Sequence, residues 1–239
     1  MEPSQESRAR IGVVIPSVNT VVEEWFPNVV PPGVSIHVSR VPISSAASAA
    51  AVEEMARHEK AAIRLAADCA PDVIVHGCVA ASIVRGPARD QAFALEVSGE
   101  TGIRFCTATA AIMLAFRSLG VRRICIASPY PAALDTLERR FFEESGIEVT
   151  GTTSLGIGDT RDIARQSPRE IHALGRRAWL DGSDALLISC LALRSHIVIA
   201  ALERELKMPV ITATQAALWA ALRLAGIADP LPGYGRLLA

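Results

Sequence analysis

Short apolar runs alternate along the chain with longer stretches in which apolar residues recur every three or four positions. The short runs predict strands at residues 10–16, 34–41, 72–77, 103–106, 122–127, 147–152, 184–189 and 209–211. The longer stretches predict helices at residues 50–69, 87–101, 107–119, 131–145, 168–181, 195–206 and 213–225. Strands that alternate with helices form right-handed βαβ units, so the pattern predicts an α/β fold with mostly parallel sheets flanked by helices.

The chain contains an internal repeat. Residues 72–78 and 184–190 each comprise an aspartate, an apolar strand and, after the same spacing, a cysteine. Three further pairs of segments resemble each other in the same order: 10–17 and 123–129, 107–109 and 212–214 (both Thr-Ala-Thr), and 107–120 and 212–226. The repeat predicts two pseudo-symmetric lobes, whose sequences begin near residues 10 and 122.

The repeat suggests a division into domains. We assign residues 10–106 to the first lobe and residues 107–212 to the second. The C-terminal segment 213–239 is expected to dock back onto the first lobe and complete it. With 239 residues, the chain is long enough for two small lobes that bury a substantial core.

Composition and charge exclude several classes of function. Half of the residues are apolar, 21% are charged, and the net charge is −1, so no basic field is available to attract nucleic acid or an anionic membrane. No apolar run reaches the length of a membrane span, and the first ten residues are polar, unlike the apolar core of a signal peptide. We therefore expect a cytoplasmic protein with no nucleic-acid or membrane partner.

The cysteines are candidates for chemistry rather than for structure. Five cysteines without a CxxC pair do not describe a disulfide scaffold, and no cysteines or histidines have the spacing of metal ligands. A lone cysteine after an apolar strand is usually a small buried residue. The matched positions of Cys78 and Cys190 favour a functional pair instead, whereas a structural role is expected for Cys69, Cys106 and Cys125.

Polar residues recur where the predicted strands end. Ligands of open parallel sheets bind beyond the carboxyl ends of the strands. The residues found there are Ser17, Asn19, Ser82, Ser128, Tyr130 and Ser189. They predict a pocket rim built from both halves.

These segments carry a family resemblance. The opening IGVVIPSVNTVVEEWFP resembles the isomerase pattern of a strand followed by PSxNTxxExxxP, and SPYPAALDTL resembles a strand-end tyrosine of the same family. The closing PVITATQAALWAALRLAGIADPLPGYGRLL resembles the family's C-terminal signature. Over residues 10–238 the chain resembles the aspartate/glutamate racemase superfamily, in the branch of maleate cis–trans isomerases and arylmalonate decarboxylases.

The resemblance implies roles for individual residues. Cys78 matches the nucleophilic cysteine of the isomerases, which arylmalonate decarboxylases lack, and Cys190 matches a proton donor or acceptor found in every branch. Ser17 and Asn19 match the loop that holds a substrate carboxylate, and Tyr130 matches the tyrosine that hydrogen-bonds to it. The backbone amides expected to bind the anion beside the thiols belong to Val79, Ala80, Leu191 and Ala192.

The chain also departs from the family's pattern. The isomerases carry an Asp-Asn pair after the sixth strand, where this chain has Gly158, Asp159 and Thr160. Val79 and Leu191 follow the cysteines, where the racemases usually have Asn or Thr. An apolar residue after the first cysteine suits the isomerases better than the amino-acid racemases.

Two thiols can act on a carboxylate without a cofactor. A thiolate is basic and nucleophilic, a thiol donates a proton, and oriented amides can lower the ordinary thiol pKa of about 8.5. We expect the Cys78 thiolate to add to maleate or a related small unsaturated carboxylate, with Cys190 as acid and base, so that the former double bond can rotate before elimination. Racemisation or decarboxylation through an enolate, and non-catalytic carboxylate binding, remain alternatives.

Partners and neighbouring residues complete the expectations. We expect no metal or cofactor, a small carboxylate substrate, and, because relatives often assemble, a homodimer or larger homo-oligomer. Arg85 and Arg194 follow the two cysteines and either supply positive charge to a diacid or lie at the surface. His76 either tunes Cys78 or packs in the core.

Overall fold

The computed structural model describes residues 7–239, which form two parallel four-stranded sheets. The first sheet contains β1 (Ala9–Pro16), β2 (Val34–Val41), β3 (Val73–His76) and β4 (Arg104–Thr107). The second contains β5 (Arg123–Ser128), β6 (Glu148–Ser154), β7 (Ala185–Ile188) and β8 (Val210–Thr212). The strand orders β2-β1-β3-β4 and β6-β5-β7-β8 are equivalent, so the predicted pseudo-symmetric α/β fold is confirmed.

Helices connect the strands of each sheet. In the first half they are α1 (Val22–Val29), α2 (Ala49–Ala67), α3 (Val79–Arg85), α4 (Pro87–Thr101) and α5 (Ala108–Leu119). The second half contains α6 (Ala132–Glu144), α7 (Thr160–Ile163), α8 (Pro168–Ala178), α9 (Ile199–Leu206) and α10 (Ala213–Leu224). Short 3₁₀ turns lie at Ser195–Ile197 and Arg236–Leu238.

The predicted strands all form, each within two residues of its expected bounds. Helices α1, α3 and α7 were not predicted, because four to eight residues are too few to show a helical repeat of apolar positions. The single helix predicted at 195–206 is instead a 3₁₀ turn followed by α9, and the helix predicted at 168–181 ends at Ala178.

The same hydrogen bonds recur in the two halves. The backbone N–H of Arg10 donates to Asp72 Oδ2 at 2.8 Å, and that of Arg123 donates to Asp184 Oδ2 at 2.8 Å. Each repeated aspartate therefore ties the strand that ends in a cysteine to the first strand of its sheet. The first threonine of each Thr-Ala-Thr tripeptide caps a helix, α5 in one half and α10 in the other.

The two halves share one apolar core. It contains residues of β1 and β3 from the first sheet, β5 and β7 from the second, and the packed pair α5 and α10 between them. Helix α10 also contacts β3 and β4, and the Arg104 side chain donates to the Leu224 carbonyl at 2.7 Å. These contacts favour assigning 213–239 to the first lobe, although the domain boundaries stay our proposal. No helix within residues 7–239 is long and apolar enough to cross a membrane.

Candidate active site

A cavity opens where four strands end. Its floor is formed by residues that directly follow β1, β3, β5 and β7, which places it between the two sheets. The volume open to the centre of a water-sized sphere is about 60 Å³. One water needs about 10–15 Å³ of such volume, so the cavity suits a ligand of a few heavy atoms. The cavity is built from both halves, but of the six predicted rim residues only Asn19 and Tyr130 line it. Ser82, Ser128 and Ser189 are fully buried and do not line the cavity.

Both repeated cysteines line this cavity. Cys78 is 7% exposed and Cys190 is 8% exposed. Their backbones differ, however, because Cys78 is extended and starts α3, whereas Cys190 has a φ of +76°. A left-handed backbone conformation costs any residue other than glycine about 1–2 kcal/mol. Contacts around Cys190 must therefore hold its turn, and those around Cys78 need not.

Burial dominates the acidity of the two thiols. It raises the pKa of Cys78 to about 12, although the nearby Ala81 N–H opposes the rise. It raises the pKa of Cys190 to about 11, opposed by the N–H groups of Ala192 and Leu193 and by the Tyr130 hydroxyl. The amides were expected to lower the thiol pKa, and they do oppose the rise, but burial outweighs them. Both thiols are protonated at neutral pH, and Cys190 has more donors for a thiolate.

Asn19 is positioned to bind a carboxylate. Its Oδ1 accepts the N–H groups of Val21 at 2.9 Å and Val22 at 3.1 Å, which fixes the side chain at the start of α1. The side chain is buried and lines the cavity, and its NH₂ group donates to no other group within residues 7–239. Ser17 does not reach the cavity, since it is exposed and its Oγ accepts the Ile43 N–H at 3.3 Å.

The other predicted binding residues also meet at the cavity. They are Tyr130, Val79, Ala80, Leu191 and Ala192. Burial, followed by the negative charge of an ionised Cys190, raises the pKa of Tyr130 well above its ordinary value, so its hydroxyl remains a proton donor. Val79 and Ala80 occupy the first turn of α3, where backbone N–H groups have no helical partner and can bind an anion.

The roof of the cavity is apolar and joins the two lobes. Its residues come from the loop after β2 and the start of α2 (Ile43, Ala46, Ala47 and Val52) and from α6 and α7 (Leu134, Thr160 and Ile163). The Ala47 N–H donates to the Gly158 carbonyl at 2.9 Å, and the Thr160 N–H donates to the Ser45 carbonyl at 2.8 Å. These two amides are thus unavailable to a ligand. Sequence reasoning missed the roof, because nothing distinguishes its apolar residues from core residues.

The charged side chains near the cysteines do not line the cavity. Arg85 binds Glu59 at 2.5 Å and Asp90 at 2.7 Å, and Arg194 binds Glu24 of the other half at 2.6 Å. Neither arginine therefore contributes a side chain to the cavity wall.

His76 lies in the core behind Cys78, with its Nε2 3.3 Å from a Glu59 oxygen. Complete burial lowers the pKa of His76 to about 3, so the ring is neutral. Within residues 7–239, no group of three His, Cys, Asp or Glu side chains is placed to hold a metal ion.

The chain is similar to known proteins in sequence and in fold. A sequence model of the arylmalonate decarboxylase family matches residues 11–238. The chain is 28% identical to a maleate isomerase of Nocardia farcinica, over 96% of this chain and 95% of that protein. It is 35% identical to arylmalonate decarboxylase of Bordetella bronchiseptica, over 65% of this chain and 66% of that protein.

Solved structures agree with the sequence comparisons. A Nocardia farcinica maleate cis–trans isomerase, crystallised as a cysteine-to-serine mutant with a covalently bound succinylcysteine intermediate, has a TM-score of 0.91 and 26% identity. The match covers 96% of this chain and 98% of that chain. A liganded double mutant of arylmalonate decarboxylase has a TM-score of 0.90 and 27% identity, over 96% of this chain and 98% of that chain.

Proposed function

The chain belongs to the arylmalonate decarboxylase family, whose sequence model matches its residues 11–238, and within that family we propose that it is a cofactor-independent cis–trans isomerase of maleate or a related small unsaturated carboxylate. The observation that carries this proposal is the pair of thiols, Cys78 and Cys190, in one small cavity. The similarity to a maleate isomerase over almost the whole chain supports the reaction, as does the succinylcysteine found in a relative. The family resemblance implies that arylmalonate decarboxylases lack a cysteine at the position of Cys78.

The proposed reaction forms and breaks one carbon–sulfur bond. Solvent first takes the proton of the Cys78 thiol, the sulfur adds as a thiolate to one alkene carbon, and Cys190 gives its own proton to the neighbouring carbon. The former double bond is now a single bond and rotates. Cys190 then removes the proton that it gave, the carbon–sulfur bond breaks and the trans alkene leaves. The Cys78 thiolate regains a proton from solvent, so both thiols are restored.

Oriented donors stabilise the charge that develops during addition. The electrons displaced by the attacking sulfur move onto the oxygens of the adjacent carboxylate, and the adduct is therefore an enolate. We place this carboxylate at the cavity floor, where the Asn19 NH₂ group, the Tyr130 hydroxyl and the amides of Val79 and Ala80 converge. The backbone amides of Leu191 and Ala192, which follow Cys190, correspond to those of Val79 and Ala80, which follow Cys78. These groups take over the role that a metal ion plays in other enolate-forming sites.

Removal of either sulfur tests the proposal. Cys78→Ala and Cys190→Ala are each expected to reduce turnover of maleate, or of whichever unsaturated acid the native protein isomerises, by at least about 10³-fold, since each thiol performs a separate step. Circular dichroism and thermal unfolding check that the variants are folded. Near-normal turnover in either folded variant contradicts the two-thiol mechanism.

The apolar roof favours a second candidate reaction. A diacid would place its second carboxylate toward Ile43, Val52 and Ile163, and an unpaired buried carboxylate is costly. Racemisation or decarboxylation of a small acid with an apolar substituent, through an enolate and the same cysteines, avoids that cost. Proton NMR in deuterated water separates the first two reactions, because isomerisation gives new alkene signals and racemisation gives α-deuteration of the substrate. Decarboxylation is detected by the release of carbon dioxide, measured separately.

A non-catalytic carboxylate-binding protein is the remaining alternative. Such a protein would bind acids in the same cavity and convert none of them. A screen against maleate, substituted maleates, arylmalonates, amino acids and hydantoins tests it, with thermal shift as the binding signal. Binding without any turnover would support this alternative over the isomerase.

Location and assembly belong to the same proposal. We place the enzyme in the cytoplasm as a homodimer or larger homo-oligomer that takes a small carboxylate as its substrate. The composition of the chain supports the location, and the resemblance to the family supports the assembly. Light scattering of the purified protein measures the assembly, and a monomer at micromolar concentration would contradict it.

A further inference from the structure

A buried glutamate lies behind the second cysteine. Glu138 is on α6, one turn beyond Leu134, which lines the cavity, and its side chain is 0% exposed. The Ser189 hydroxyl donates to Glu138 Oε1 at 2.5 Å. The other oxygen, Oε2, has no hydrogen-bond partner within residues 7–239. An isolated, fully buried carboxyl is costly, so its retention needs an explanation.

A comparison with the first half shows what is unusual about Glu138. Glu59 is also buried, but it forms an ion pair with Arg85 at 2.5 Å. Glu138 forms no ion pair with any of the residues that the structure describes. Burial, opposed by the Ser189 hydrogen bond, raises the pKa of Glu138 to about 8, so the carboxyl is mostly protonated at neutral pH. Nearby Asp135, whose Oδ1 accepts the Ser128 hydroxyl at 2.7 Å, contributes to the rise.

Ser189 connects the Glu138 carboxyl to the left-handed turn at Cys190. It directly precedes Cys190, it is fully buried, and its N–H donates to the Ala127 carbonyl at 2.8 Å. Both its backbone and its side chain are therefore fixed immediately before the residue with a φ of +76°. A strained conformation persists only where the surroundings over-determine it.

The first half has no such anchor. The residue before Cys78 is Gly77, and a side chain there would begin 3.0 Å from Ile15 Cγ2 and 3.1 Å from Leu191 Cδ2. Cys78 needs no anchor, since its backbone is extended. The anchor and the strained conformation thus occur together, in the same half of the repeat.

We infer that Glu138 is a positioning residue for Cys190, because by accepting the Ser189 hydroxyl it holds the left-handed turn that sets the position of the cysteine sulfur. The Leu193 N–H donates to the Cys190 carbonyl at 3.3 Å and closes this turn. The groups that favour the Cys190 thiolate are the N–H groups of Ala192 and Leu193 and the hydroxyl of Tyr130. The inference rests on the proposed function for its catalytic consequence. Its structural part concerns Cys190 alone and can be tested without a substrate.

Two uncharged replacements of Glu138 separate the effect of its hydrogen bond with Ser189 from the effect of its carboxylate charge. Glu138→Gln keeps an oxygen that accepts from Ser189, whereas Glu138→Leu has a similar volume and accepts nothing. We expect kcat of the Leu variant to lie at least about tenfold below that of the Gln variant, with KM equal within about twofold, because Glu138 does not contact the substrate. Equal kcat in the two folded variants would overturn the inference, whether both are active or both are inactive.

Thiol alkylation provides the test that is independent of activity. Peptide mass spectrometry after iodoacetamide treatment at pH 9 reports Cys78 and Cys190 separately. Cys190 of the Leu variant is expected to react at least about threefold more slowly than Cys190 of the Gln variant, since its thiolate has lost oriented donors. Cys78 should react equally in both. A change at Cys78 of the same size, or none at Cys190, would contradict the inference even if the protein proves to have another activity.

Replacement of the serine gives the matched control. Ser189→Ala removes the other partner of the same bond, so it should slow Cys190 alkylation as Glu138→Leu does. The double variant Glu138→Leu/Ser189→Ala should be no slower than the slower single variant, because one interaction cannot be lost twice. Independent, multiplicative effects would show that Glu138 and Ser189 act separately and would overturn the inference.

Discussion

At the scale of single residues, the two cysteines show how equivalent sequence positions acquire different properties. Cys78 begins a helix in an extended conformation, and Cys190 occupies a left-handed turn. One amide approaches the first sulfur, while two amides and a tyrosine hydroxyl approach the second. The difference suits a division of labour in which Cys78 bonds to carbon and Cys190 exchanges protons.

Glycine substitution should reveal the strain at Cys190. Glycine tolerates a positive φ, so Cys190→Gly relieves about 1–2 kcal/mol of strain that Cys78→Gly cannot relieve. Both variants lose a similar buried side chain. We therefore expect Cys190→Gly to be the more stable of the two by about 1 kcal/mol in urea unfolding. The opposite order would mean that the turn at Cys190 is not strained.

The acidity of the thiols predicts a dependence of rate on pH. Burial raises the pKa of Cys78 to about 12 and that of Cys190 to about 11, so both are protonated at pH 7 and the thiolate fraction grows as the pH rises. If bulk pH controls this fraction, kcat/KM should rise about tenfold per unit between pH 7 and 8. Initial rates in buffers of constant ionic strength measure it. A flat profile would contradict the prediction, because kcat/KM reports the ionisation of the free enzyme.

At the scale of secondary-structure elements, the loops after β2 and β6 decide how closed the cavity is. They come from different halves, and backbone hydrogen bonds join them above the thiols. Their side chains give the roof its apolar character, while the strand ends bring Asn19, Tyr130 and the two cysteines to the floor. We propose that the floor binds the carboxylate and that the roof covers it.

A proline substitution should open the roof. Ala47→Pro removes the N–H that donates to the Gly158 carbonyl, whereas Ala49→Pro changes the first residue of α2, where no helical hydrogen bond is lost. We expect KM to rise about tenfold in the first variant and to change less than about twofold in the second. Steady-state kinetics measure both values. Equal effects would show that the bond between the loops does not order the cavity.

At the scale of the whole molecule, the arginines that follow the two cysteines have different structural roles. Arg85 neutralises the buried carboxylates of Glu59 and Asp90 inside the first half. Arg194 forms an exposed pair with Glu24 that bridges the halves. Neither arginine lines the cavity, so charge on the substrate must be met by dipoles rather than by a cation.

Methionine substitutions should separate the two arginines. Arg85→Met leaves the buried carboxylates of Glu59 and Asp90 without a cation, although Asp90 still accepts the Thr107 and Thr109 hydroxyls, and is expected to cost about 3–5 kcal/mol of unfolding free energy. Arg194→Met breaks a surface pair and is expected to cost less than about 1 kcal/mol, with kcat unchanged. Denaturant unfolding and kinetics of both variants check this. A large loss of activity in folded Arg194→Met would instead assign it a role in binding the substrate.

The order of the strands and of most helices along the chain, the repeat and the two thiols can be predicted from the amino-acid sequence. Those features depend on local periodicity and on residue spacing, which are written along the chain. The strand ends and the family resemblance both indicated Asn19 and Tyr130, which line the cavity, and Ser17, which lies outside it.

Properties that depend on residues far apart in the chain became visible in the folded structure. Burial, which raised the thiol pKa values, results from packing by both halves. The roof combines loops more than one hundred residues apart, and Glu138 meets Ser189 across fifty-one positions. The left-handed turn at Cys190 carries no sequence signal, because cysteine rarely adopts it without external restraint. Desolvation, charge pairing and strain are set by three-dimensional neighbours, and a linear pattern does not contain them.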